Sequence, residues 1–145
     1  MQRYLYSWLL LVGVGHVLLG LAFILVAKTS LIDPYLSYLY VVFSIPSDTS
    51  LASNANESLL RTILQLFGPT IASWGALFCI AVSSYMRLGD QRIKMGIILA
   101  LLIWFMIDCS LSVLNGINAH LVINILACIS ILPPLVMLKP NTSIN

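Results

Sequence analysis

Two ionisable side chains stand well inside long apolar runs of this sequence. His16 lies in the run from Leu5 to Ala27, and Asp108 in the run from about Met95 to Leu114. Laid out as helices rising about 1.5 Å per residue, these runs put His16 about 17 Å and Asp108 about 20 Å from the end that carries the N-terminus. On the same scale Asn124 falls at roughly 21 Å, and Thr70 and Ser73 at about 18–23 Å. Each of four apolar runs thus contributes to one polar layer. A carboxylate and an imidazole at one depth can pass a proton, because both titrate readily and intramembrane relays are built from them. The amide and hydroxyls can donate and accept hydrogen bonds. Three uses of the layer stay open: a hydrogen-bond network that fixes helix register, a seat for a small ligand, lipid or quinone-like molecule, and a proton or ion pathway.

Other chemistries find little support. A metal site wants several converging His, Cys or carboxylate ligands. The chain has two His, His16 and His120, with no H-x-x-x-H or H-E-x-x-H spacing. Cys79, Cys109 and Cys128 each sit in an apolar run without a C-x-x-C pair, so they read as small core residues. Neither a Gly-rich phosphate loop, a nucleophile elbow nor a pair of catalytic carboxylates occurs, so no catalytic residue and no cofactor is expected. A net charge of +2 on scattered Lys and Arg gives no footprint for nucleic acid.

The elements that must position the layer follow from composition. Hydrophobic residues make up 60% of the 145 and charged ones 8%, with mean hydropathy +1.01. A soluble domain carries about a quarter charged residues. These proportions predict an all-α integral membrane protein, a four-helix transmembrane bundle in one domain over residues 1–145. The first span is expected at about 5–27. It is longer than the roughly 7–15 apolar residues of a signal peptide, so it reads as retained. The second is expected at about 61–85, with a kink at Gly68-Pro69. The third is placed at about 95–114 and the fourth at about 119–138, bent or ended by Pro133-Pro134.

The long connection over 28–58 carries a short aromatic segment, 35–45, opened by Asp33 as a helix N-cap and Pro34. About eleven residues cannot span, so an interfacial or re-entrant segment is expected, with Tyr35, Tyr38, Tyr40 and Phe43 as contacts at the headgroup level. Residues 46–58 read as a loop. Asn56-Glu-Ser58 and Asn141-Thr-Ser143 match the glycosylation triplet, but their places beside the membrane and in the tail make them chance matches.

Faces of the spans support an inward polar layer. Asp108, Ser112 and Asn115 share one helix face, and His120 and Asn124 share another. Gly13, His16 and Gly20 form a stripe whose small residues let a neighbour approach, as do Ala72 with Ala76 and Gly96 with Ala100. Trp8 suits an anchor at the inner interface, and Trp74 and Trp104 suit packing. His120, near the outer boundary, reads as a solvated cap.

Lys and Arg favour the cytoplasmic side of short loops. With the N-terminus inside, that side holds Arg3, Arg87, Arg92, Lys94 and Lys139, and the other holds Lys28 and Arg61. Both termini are therefore expected in the cytoplasm.

The Gly-rich first span (Gly13, Gly15, Gly20), the long outer loop with Asp33-Pro34, and the Gly-containing span followed by a helical hairpin resemble small bacterial four-helix membrane proteins of the DoxX-like kind. The likeness is one of plan and transfers no residue's role. It implies a bacterial inner-membrane protein. The expected function is an accessory or structural subunit that packs against another membrane protein or a second copy, with the bilayer as its other partner. The alternative is a small transporter or ligand-binding protein using His16, Asp108 and Asn124.

Overall fold

A long apolar run can satisfy its peptide groups away from water only by bonding to itself, which selects the α-helix. The computed structural model describes residues 1–43 and 51–140, with only the backbone of 51–55. Among the described residues the chain is all-helical, without strands. Helix α1 is Gln2–Val26, a 3-10 turn covers Ser30–Ile32, and α2 is Asp33–Val42. Helices α3, α4 and α5 are Leu51–Leu88, Gln91–Leu114 and Asn118–Met137. Four helices are long and apolar enough to cross a membrane: α1, the Asn56–Leu88 part of α3, α4 and α5. At 10 residues, α2 is too short to do so.

Three differences from the sequence reading concern boundaries. Residues 51–58, read as loop, belong to α3; the stretch holds no Gly or Pro to break a helix, and Glu57 pairs with Arg61 one turn on. The Asn56-Glu-Ser58 triplet is accordingly helical. Asp33 is not the N-cap of α2. Ile32 occupies that place, and Asp33 turns its carboxylate to Arg61. Pro133 and Pro134 do not end the last helix, which runs on to Met137. Helix α3 likewise continues through Pro69. Residues 44–50 and 141–145, with Ser44 and Ile45 of the aromatic segment and the tail triplet, lie outside the described residues.

The chain divides into two compact units, Met1–Gly15 with Gly75–Asn145, and His16–Trp74. In the first, α4 and α5 form an antiparallel hairpin. Gly89 ends α3 at φ 69° and Asp90 starts α4 by accepting from the Arg92 backbone N–H at 2.8 Å. Gly116, also at φ 69°, makes the turn into α5. Val82, Tyr85, Leu101, Ile131 and Leu135 form the buried apolar centre of this unit. A Cβ on Gly13 would collide with Cys79 Sγ and lie 3.1 Å from the Gly75 carbonyl, so α1 and α3 meet there almost backbone to backbone.

The carbonyls at the end of α5 are taken up by side chains of the same unit. Lys94 Nζ donates to Val136 and Leu138 at 2.7 and 2.9 Å, Tyr85 to Leu138 at 3.1 Å, and Gln2 to Met137 at 3.3 Å. Earlier in the helix, Pro134 lacks the N–H that would bond the Ser130 carbonyl. Trp8 Nε1 donates to that oxygen at 2.9 Å.

In the second unit α1 and α3 cross at Gly20 and Gly68. A Cβ on Gly20 would collide with the Gly68 carbonyl and lie 2.5 Å from the Ala72 nitrogen; one on Gly68 would lie 2.5 Å from the Gly20 carbonyl. Gly96, expected to offer a similar face, has nothing within 4 Å of an added Cβ.

Candidate functional site

The α4–α5 hairpin brings four polar side chains together. Asp108 and Ser112 stand one turn apart on α4, and His120 and Asn124 one turn apart on α5, so each pair shares a face. The two faces meet. Asn124 Nδ2 donates to Asp108 Oδ2 at 2.6 Å, and the same oxygen lies 3.6 Å from His120 Nε2. His120 Nδ1 lies 3.1 Å from Ser112 Oγ. Ser112 and Asn124 are each 2% exposed, whereas the side chains of Asp108 and His120 are 29% and 42% exposed. The result is a chain Ser112–His120–Asp108–Asn124 with a sealed hydroxyl and amide at its ends and the titratable groups open between them.

The chemistry of this chain rests on tautomers. Beside a carboxylate anion, neutral His120 points Nε2–H at Asp108 and its bare Nδ1 accepts from the Ser112 hydroxyl. In the other tautomer Nδ1–H donates and the Ser112 oxygen becomes the acceptor; a hydroxyl switches roles by rotation, so Ser112 can answer either one. The order Ser–His–Asp is also that of a hydrolase, but at 2% exposure the Ser112 oxygen is out of reach of an acyl substrate.

The remaining layer residues have other settings. His16, in the other unit, stacks against Trp74 with ring centroids 4.7 Å apart and planes at 53°. Thr70 and Ser73 are exposed. Asn115, expected on the face of Asp108, is exposed and donates back to the Leu111 carbonyl of its own helix at 2.8 Å. The imidazole facing Asp108 is thus His120, which the sequence suggested only as a solvated cap. The signal for it was present: Asp108 and Asn124 are equidistant from Gly116, and so are Ser112 and His120. A hairpin turning at Gly116 must set both pairs opposite one another.

Sequence reasoning also passed over Arg61. Its Nη1 donates to the carbonyls of Ala27 and Thr29 at 3.2 and 2.9 Å, its Nη2 to Asp33 Oδ1 at 2.5 Å, and its Nε to Glu57 Oε1 at 2.9 Å. Gln65 adds a donor to the Ile24 carbonyl at 3.3 Å, and Thr29 Oγ1 one to Val26 at 2.9 Å. The end of α1 is therefore closed by side chains, with the Arg61 fork serving two carbonyls and two carboxylates.

Beside that cluster, Tyr35, Tyr38 and Phe43 leave at least part of their rings open on α2, and the rings of Tyr35 and Tyr38 stack at 6.4 Å. Tyr40 differs. Its hydroxyl is enclosed and has no hydrogen-bond partner among the described residues. Burial, then the Glu57 carboxylate, push its phenol above the ordinary value, with Arg61 opposing. Among the described residues no group of three His, Cys, Asp or Glu side chains is placed to hold a metal ion. No family model matches the chain, and neither a curated protein nor a solved structure matches it.

Proposed function

We propose that this chain is a four-span protein of a bacterial inner membrane, acting as an accessory or structural subunit that packs against another membrane protein or a second copy. One observation carries the reading: large apolar side chains stay exposed along all four long helices, as with Leu18 at 61%, Leu77 at 66%, Ile107 at 57% and Ile129 at 62%. Such faces are at home in lipid or against another apolar helix. The excess of Lys and Arg at the end shared by both termini favours placing that end in the cytoplasm. Helix α2, with Tyr35, Tyr38 and Phe43 open, then lies at the outer interface as the contact segment. On this reading the hydrogen bond between Asp108 and Asn124 fixes the register of α4 on α5.

A second reading is favoured by the Ser112–His120–Asp108 chain, whose hydroxyl can answer either tautomer of the imidazole. There the protein is a small proton-coupled transporter or ligand-binding protein.

Purification of the tagged chain in mild detergent, with mass spectrometry of everything retained, separates the two. A stoichiometric membrane-protein partner or a defined homo-oligomer is the expected outcome. A lone chain carrying a bound small molecule would sink the subunit reading. Asp108→Asn sharpens the division: partner retention survives it if the acid only sets register. Loss of a transport or proton flux, with abundance unchanged, assigns the acid to the second reading.

A further inference from the structure

A groove at the N-terminal end of α1 gathers several polar groups of the first unit. It is open, with a volume of about 620 Å³, and is lined by Tyr6, Cys79, Ile80, Ser83, Ser84, Met86 and Arg87. Tyr6 Oη and Ser83 Oγ are 3.2 Å apart, so two hydroxyls already face one another across it. Arg87, one turn beyond Ser83, is exposed and makes neither an ion pair nor a hydrogen bond among the described residues. Among the described residues the same end of the chain carries Arg3, Arg92, Lys94 and Lys139, against one side-chain carboxylate, Asp90. Lys94 is occupied by the α5 carbonyls and Asp90 caps α4, whereas Arg87 is the charged residue that lines the groove, and it is basic. Toward the helix interior its wall turns apolar at Ile80, which is 62% exposed.

We propose that this groove seats an anionic phospholipid, with its headgroup phosphate held by the Arg87 guanidinium and the hydroxyls of Tyr6, Ser83 and Ser84. The inference rests on the four-span reading, which puts this end of α1 and α3 at headgroup depth. Arg suits the role because its planar fork donates two parallel hydrogen bonds to phosphate oxygens, and hydroxyls complete the shell. An acyl chain leaving the phosphate runs down the apolar wall beside Ile80. Basic pockets between helices, on the side where Lys and Arg collect, match this class of lipid.

The test uses the purified full-length chain in mild detergent, read by native mass spectrometry against phosphatidylglycerol and phosphatidylcholine of identical acyl chains. The wild type is expected to retain phosphatidylglycerol about tenfold better, the scale of one charge-assisted contact. Arg87→Gln abolishes the preference, Arg87→Lys keeps part of it, and the exposed Arg92→Gln keeps all of it. Equal loss in Arg87→Gln and Arg92→Gln would overturn the site in favour of diffuse charge. Ser83→Ala with Ser84→Ala is the second probe, expected to weaken retention severalfold without changing net charge; unchanged retention counts against the groove. Displacement of the lipid by millimolar glycerol phosphate would show a site for a free anion instead. Extraction of native membranes with alkaline carbonate tests the four-span reading separately. Release of the chain there sinks both ideas, whereas retention with no lipid preference sinks only this one.

Discussion

The crossing of α1 and α3 at Gly20 and the hairpin of α4 and α5 at Asp108 hold helices together by opposite means. At Gly20 and Gly68 the nearest neighbours are mostly backbone, with the side chains of Ala72 and Ile24 beside them. The backbones come so close that a Cβ would collide with the Gly68 carbonyl. At Asp108 side chains do everything, through a 2.6 Å hydrogen bond from Asn124 and the His120–Ser112 pair beside it. Between apolar spans in lipid there is little hydrophobic gain on association, so packing and polar contacts must supply it. The first device tolerates no added atom but ignores protonation. The second depends on each donor meeting its acceptor.

The largest expected effect comes from breaking the first device. Gly20→Val should lower stability by about 3 kcal/mol, the upper range for overpacking against atoms that cannot rotate away. Gly15→Val, with nothing within 4 Å of its Cβ, serves as the matched control. Circular dichroism during thermal unfolding in detergent reads both; equal midpoints for the two variants would remove the close crossing from the account.

Next in size, Asn124→Ala leaves the Asp108 carboxylate without its buried donor and should cost about 1–2 kcal/mol. A double-mutant cycle with Asp108→Ala, read by thermal unfolding in detergent, checks it: additive losses would argue that Asn124 acts by packing alone.

Smaller again, Trp8→Phe removes the donor to the Ser130 carbonyl, at about 1 kcal/mol. In a Pro134→Ala background the new backbone N–H refills that carbonyl, so the same substitution should cost roughly half as much or less. Additive effects in this double-mutant cycle would separate the indole from the proline. The smallest effect is expected at Gly96→Ala, which meets nothing within 4 Å: a change within about 0.5 kcal/mol, toward greater stability because alanine is the better helix former. A clear loss there would mean that a partner covers this face.

Hydropathy made the four long helices legible, because an apolar run of some twenty residues leaves the backbone few alternatives. The turn at Gly116 was legible, whereas the spans expected to end at about 85 and start at about 95 run on to Leu88 and begin at Gln91. Before Leu51 the run Asp48-Thr-Ser50 fits a helix start as well as a loop, and polarity does not separate the two. In the candidate site Asp108 and Asn124 stood out by depth. His120 did not, because depth was counted from the ends of the spans and not from the turn at Gly116. Gly68 was overshadowed by Pro69: a proline announces a bend, while the glycine before it announces a close neighbour only once Gly20 is known to lie opposite. The Arg61 cluster depends on acceptors far apart in sequence, two of them backbone carbonyls, and no local pattern reveals such a set.

Arg61 also orders events during synthesis. The carbonyls of Ala27 and Thr29 and the carboxylate of Asp33 all wait for a guanidinium made some thirty residues later. Until the ribosome has passed that point, the end of the first helix and the start of α2 have only water, or whatever insertion machinery surrounds them, to answer their charges. The connection is therefore closed only when α3 arrives, and a chain that stops before Arg61 lacks the donor for all three acceptors.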